Sequence, residues 1–187
     1  MSRPIRLLAI LAVLAGVLTA AGCGGVETSI QEAATTEGTY LEVGGLKYQV
    51  QISRQLNPTD PEDRSYLVGL PGGVTAGTGE TWFGVFMRVE NDGEKPAHAA
   101  SDYEITDTEN NTFRPVPVDA KVNDFAYQPT TLQPTTILPN PDSVAGQGVI
   151  QGSLLLFKLK ESDLQNRPLT LKISDGGGES RSVELDL

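Results

Sequence analysis

One cysteine and one histidine, Cys23 and His98, occur in the whole chain, and their scarcity excludes a good deal. No disulfide can form within the chain, so its domain has to be held by a hydrophobic core alone. Beyond Cys23 there is no thiol nucleophile, and a zinc site would have to be built from one imidazole and carboxylates. A serine triad would need to recruit His98 from the polar stretch "EKPAHAAS", and no G-x-S-x-G elbow presents a serine to it. Copper carriage calls for several His and Met; the methionines are Met1, in the leader, and Met87, which strand alternation turns into the core. Phosphate-cradling glycine motifs are missing too, since "GGGE" near the C-terminus falls between two strand patterns and reads as a turn. Acidic side chains gather in turns ("DPED", "ENDGE", "TDTEN", "ESD"), where solvated charge is usual, rather than as a paired-acid cleft. The expectation is a protein that is not an enzyme and carries no cofactor, calcium excepted, as argued below.

Long hydrophobic runs are equally scarce. The one present, "LLAILAVLAGVL" at 7–18, has twelve residues, too short for a bilayer span of about 20. It follows Arg3 and Arg6 and precedes "TAAGC", so residues 1–22 read as an export signal and are set aside from the fold. The ending resembles a bacterial lipobox, with Ala20 where Leu is commoner. That makes Cys23 the lipidated first residue of the mature chain, and an exported protein has little other reason to keep a lone thiol. Removing the leader takes two of the 14 basic residues and none of the 24 acidic ones, which leaves a net charge of −12. So acidic a chain repels nucleic acid and anionic lipid headgroups. Membrane attachment then rests on the anchor: one acyl chain holds marginally, two or three hold stably. The expected location is the extracytoplasmic face of the cell membrane.

Residues 23–39 read as the lipidated cysteine and a flexible tether, because "GGVETSIQEAATTEG" (24–38) has only Val26 and Ile30 as larger aliphatics and no period. At about 5–6 Å × √n, such a tether spans on the order of 20 Å. From Tyr40 the dominant period is two, so residues 40–187 form one domain. In "LKYQVQIS" Leu46, Tyr48, Val50 and Ile52 alternate with polar residues. "TWFGVFMRVEN" is apolar on both faces at first and polar on one at its end, as a central strand leaving the core would be. Further strands are expected at 101–107, 112–118, 149–159, 169–174 and 181–187, the last two joined by the turn "DGGGES". "KESDLQN" (160–166) is suited to a single helical turn, and no window has the pattern of a long helix. Seven to nine short strands between Gly, Pro and Asn turns predict an all-β domain, an immunoglobulin-like antiparallel β-sandwich, with a small barrel as the alternative.

Two segments break the pattern. "QLNPTDPEDRSYL" (55–67) is acidic and stiffened by Pro58 and Pro61. Asn57, Asp60, Glu62 and Asp63 place four oxygen-bearing side chains within seven residues, a set that suits an extracellular Ca²⁺ ion, though not with EF-hand spacing. The same stretch also reads as a recognition loop or a purely structural one, with Arg54 or Arg64 reaching an acid elsewhere to pin it by a bidentate contact. "YQPTTLQPTTILPNP" (127–141) has four prolines, so it reads as an edge strand or a polyproline-like crossover. Phe125, Tyr127 and Ile137 are its candidate partner-binding residues, beside Arg54 and Arg64 at the first segment.

The lipobox, tether and β-pattern together resemble bacterial lipoproteins that carry an immunoglobulin-like extracellular domain of uncharacterised function. The likeness is strongest in "WFGVFMRVENDGEKPA" and "GQGVIQGSLLLFKL", which resemble the two central strands facing across such a core. "SRQLNPTDPEDRSYLVG" is similar to a segment of actinobacterial lipoproteins. The resemblance spans roughly residues 40–187 and implies a fold, with no catalytic residues attached. The expected role is a non-catalytic protein-binding or scaffolding module holding an envelope protein; the alternative is an accessory lipoprotein that binds a cation or small solute.

Overall fold

The computed structural model describes residues 33–34 and 36–186. The expected signal peptide at 1–22, Cys23 and the expected tether up to residue 32 lie outside the described residues.

Among the described residues twelve strands form, in chain order β1 (Ala33–Ala34), β2 (Tyr40–Val43), β3 (Leu46–Leu56), β4 (Glu80–Glu90), β5 (Ala97–His98), β6 (Asp102–Thr106), β7 (Thr112–Phe113), β8 (Thr131–Leu132), β9 (Ile137–Leu138), β10 (Ser153–Lys160), β11 (Leu169–Ser174) and β12 (Ser180–Leu185). Seven of them (β2, β3, β4, β6, β10, β11 and β12) have four residues or more. They build two facing sheets, ordered β1-β12-β11-β6-β7 and β10-β4-β3-β2, with β9 also on β4 and a separate β5-β8 ribbon. All ladders are antiparallel except β1 with β12. The expected β-sandwich is the fold. Its helices are short: α1 (Pro61–Tyr66), α2 (Val144–Gln147) and a 3-10 turn at Asp163–Gln165, inside the segment suited to one helical turn.

The alternation read from the sequence decides the core. Leu46, Tyr48 and Val50 of β3 and Phe83, Val85, Met87 and Val89 of β4 face Tyr103, Ile105, Leu169, Leu171, Ile173 and Val183 of the other sheet, all buried. In the final hairpin Leu169 pairs with Leu185 and Leu171 with Val183, while Ile173 sits opposite Arg181. A bulge between Val50 and Ile52 changes the phase of β3. Ile52 is thereby turned to the surface, and Leu56 falls on the outer face of the sheet.

Three boundaries differ from expectation. The strand expected at 112–118 stops at Phe113, because Pro115 and Pro117 have no N–H to donate to a ladder. The strand expected from 149 begins at Ser153; just before it, Gly152 lies so close to Phe86 and Met87 that a Cβ there would be 3.0 Å from Phe86. Ala33–Ala34, inside the stretch read as tether, adds to β12 as a parallel strand, and the Glu37 carboxylate accepts N–H bonds from Ser53 (3.0 Å) and Asp186 (3.1 Å).

The outer face of the β10-β4-β3 sheet is not solvent. Leu56, Trp82, Phe86, Leu154 and Leu156 form a second apolar cluster there, covered by α1, residues 67–76 and the 116–125 segment. That is why "TWFGVF" is apolar on both faces: each face of β4 has its own core.

Candidate functional site

The 55–67 stretch is the start of this covering layer. Asn57 Oδ1 accepts bonds from Thr59 N and Oγ1, an Asx turn that reverses the chain after β3. Asp60, in extended backbone, caps α1 by accepting from the N–H groups of Glu62 (2.9 Å) and Asp63 (3.1 Å), and Pro61 takes the first helical position. Arg54 and Asp63 make a two-pronged contact, Nη1 to Oδ2 at 3.2 Å and Nη2 to Oδ1. Asp63 Oδ2 also accepts the Asn57 N–H at 2.7 Å. A bidentate pin thus forms with Arg54 as its cation, but its acid is Asp63 within the stretch rather than one elsewhere, while Arg64 lies exposed in the last turn of α1.

These contacts direct the four oxygen-bearing side chains to different protein donors. Asp60 serves the helix start, Asp63 serves Arg54 and Asn57, Asn57 serves Thr59, and Glu62 lies 3.4 Å from the Tyr66 hydroxyl. Among the described residues no group of three or more His, Cys, Asp or Glu side chains converges as metal ligands would. His98 sits at the surface on β5, with Nδ1 3.1 Å from Thr131 Oγ1.

α1 positions Tyr66, whose ring stands edge-on to Phe86 at 4.9 Å and to Phe125 at 4.8 Å. The structure therefore brings the two candidate segments together through Tyr66 and Phe125. Asn123 fastens them. Its side-chain amide donates to the carbonyls of Tyr66 (3.0 Å) and Val68 (2.8 Å), and its oxygen accepts from Phe125 N (2.9 Å). Sequence reasoning missed Asn123; the only signal was an uncharged polar residue between Val122 and Phe125 in an otherwise turn-like run.

Tyr127 is not a surface residue. Its ring packs edge-on to Tyr103 at 5.2 Å, and its hydroxyl donates to Ala100 O at 2.8 Å, while the Tyr48 hydroxyl accepts from Ala100 N at 2.7 Å. Burial pushes the Tyr48 hydroxyl up to about 12 and raises those of Tyr127 and Tyr103 as well, so all three stay neutral. Ile137 is half-buried in β9, paired with Glu90. The proline-rich segment is thus tied down twice, by β8 on β5 and by β9 on β4.

What these contacts leave open is a cleft of about 320 Å³ along the partly covered edge of β10, floored by Leu154–Leu156 and walled by residues 115–118 and 126–129, with Ser101 and Tyr103 behind. Its walls are proline-rich, with Val116, Val118 and Ala126 beside Tyr127 and Gln128, and carry no charged side chain. A second hollow, lined by Leu70, Pro71 and Val122 among others, shares Pro117 and Val118 with it. Val122 is exposed in that hollow, where Asp119 is the one charged lining residue.

No family model matches the chain, and no curated protein matches it. Among solved structures, it is similar to the yjhA protein from Bacillus subtilis, with 12% identity and a TM-score of 0.48 over 81% of this chain and 99% of that one. It is also similar to an uncharacterized beta-sandwich protein from Clostridium difficile 630, with 10% identity and a TM-score of 0.44 over 82% of this chain and 95% of that one.

Proposed function

We propose that the chain is an extracytoplasmic lipoprotein, anchored by acyl groups on Cys23, whose β-sandwich acts as a non-catalytic protein-binding module of the cell envelope. The observation that carries the reading is the uncharged, proline-walled cleft on the β10 edge, together with the exposed Val122 of the hollow beside it. Exposed apolar ground of this kind on a strongly acidic chain is the mark of a contact surface. The anchor is supported by the sequence alone, from the basic start, the short apolar run and the lone cysteine after "TAAG". The oxygen-bearing side chains at 57–63 are occupied by protein donors, which favours a structural role for that loop over cation binding.

The experiment is cross-linking in intact cells with the lipidated chain, beside a Cys23→Ala variant. A specific envelope protein captured by the wild type, together with a shift of the variant from membrane to soluble fraction, is the expected outcome. Equal membrane retention of both chains would remove the anchor, and an absence of any specific adduct would remove the binding role.

A further inference from the structure

β10 is an edge strand, and such an edge offers a row of N–H and C=O groups that invites another chain unless it is covered. Here the cover is incomplete for a reason written in the sequence. Residues 125–127 run parallel to β10: Leu154 N donates to Phe125 O at 2.6 Å and Tyr127 N donates to Leu154 O at 2.9 Å. The 115–118 segment brings Val116 N to Leu156 O at 2.7 Å, but Pro115 and Pro117 on either side have no N–H to add. Alternation along an antiparallel pair points the Leu154 and Leu156 amides away from β4. The Leu156 N–H therefore faces the gap between the two segments, and neither segment gives it a backbone acceptor.

The geometry points to this gap as a docking slot for an extended peptide from a partner protein, added beside β10. A carbonyl of the peptide accepts from Leu156 N–H, and an aliphatic or proline side chain fills the cleft between 115–118 and 126–129. At about 320 Å³ the cleft is at the small end of ligand sites, roughly 300–1,000 Å³, which suits an anchor residue better than a whole solute. Strand addition of this type takes its affinity from main-chain bonds and its selectivity from alternate side-chain pockets. Charge sets the flanks of the peptide. No charged side chain lines the cleft, Arg114 is engaged by Asp102 and Glu104, and Asp119 and Asp124 lie exposed at the ends of the two segments with Lys121 between them in sequence. On a mature chain of charge −12 the fitting partner carries Lys or Arg on either side of its apolar anchor.

This inference rests on the binding-module reading and names its partner chemistry. The test uses the chain from Cys23 onward in detergent, screened against a displayed library of random dodecapeptides. Enriched peptides are expected to have a proline or aliphatic centre with basic flanks. One synthesised for titration should move the Leu156 amide signal and slow its hydrogen exchange at least about tenfold. Ala126→Trp, which fills the cleft, should weaken binding at least about tenfold (about 1.4 kcal/mol), and Lys172→Glu on the far sheet should leave it unchanged. Ser101→Trp serves as the second blocking variant if Ala126→Trp loses its dispersed amide spectrum. No enrichment, acidic consensus sequences, or binding indifferent to the blocking variants would overturn the slot. If cross-linking in cells still captured a partner, the module reading would survive that failure; loss of the partner would end both.

Discussion

Arg54 and Asp63 hold the covering layer to the sheet by one pair of charges. Asp63 is 4% exposed, so its carboxylate has left water and depends on Arg54 and the Asn57 N–H for replacement. Arg54→Ala should therefore cost roughly 2–3 kcal/mol in urea unfolding, because it strands a buried charge. Arg54→Lys should recover only part, since an ammonium lacks the flat fork. A loss below about 0.5 kcal/mol, the size of an exposed pair, would contradict this account. Two other carboxylates give opposite pH signatures. Burial pushes the Asp107 carboxyl up, but the side-chain amides of Asn111 and Asn166 and the N–H groups of Asn111 and Glu109 outweigh it and hold it below its usual range. Its stabilisation is present above the unfolded value of about 4 and is lost as pH falls through the depressed one. Asp107→Asn should lower the melting temperature at neutral pH and flatten its fall at acid pH. For Glu37, burial raises the pKa despite bonds from Ser53 and Asp186. The folded chain then holds that proton more tightly, so stability falls as pH rises from about 4.5 through the raised value. Glu37→Gln should remove that decline, seen as a wild-type-minus-variant difference that shrinks with rising pH.

At the scale of elements, the covering layer formed by α1 and residues 67–76 is the part the sequence disclosed least. Its helix has six residues, too few for a period, and its one large buried side chain is Tyr66. Without knowledge of Phe125 on the other side, nothing in "PEDRSY" says that Tyr66 closes a second core. The capping residues were legible as turn formers: Asp60 before Pro61 is a helix start, though the same oxygens also fit a cation loop. The two-faced apolarity of "TWFGVF" was the better clue, and it was ambiguous because a central strand and a doubly covered strand look alike. Strand alternation, by contrast, is a local property, so Leu46 to Val50, Leu169 to Ile173 and the closing hairpin were readable directly. Non-local facts were not: the β3 bulge at Gln51, the Asn123 clasp and the pairing of β9 with β4 all depend on distant backbone. Tyr66→Ala should cost about 3–4 kcal/mol, as deletion of a buried aromatic does, and should raise amide exchange across 57–76 before the sandwich unfolds. Asp60→Ala should cost about 1 kcal/mol by uncapping α1. Exchange that rises evenly over the whole domain would show the layer is not a separable unit.

For the whole molecule, two features with different origins meet. The sandwich is closed without a disulfide, by interdigitated side chains between two sheets plus a second cluster outside one of them. Its excess negative charge opposes binding to polyanions, so the prediction is that filter binding to DNA at about 0.15 M salt shows no retention. Against that charged surface, the uncharged cleft on the β10 edge and the exposed Val68 and Val122 stand out as ground for contact. The most direct measurement places a photo-reactive amino acid at Gln128, on the rim of this cleft, or at Lys172, on the far sheet, in the lipidated chain in living cells. A discrete adduct with an envelope protein from position 128, lost at 172 and diminished by Ala126→Trp, is the result the account predicts. Adducts of equal yield from both positions, or none from 128, would contradict it.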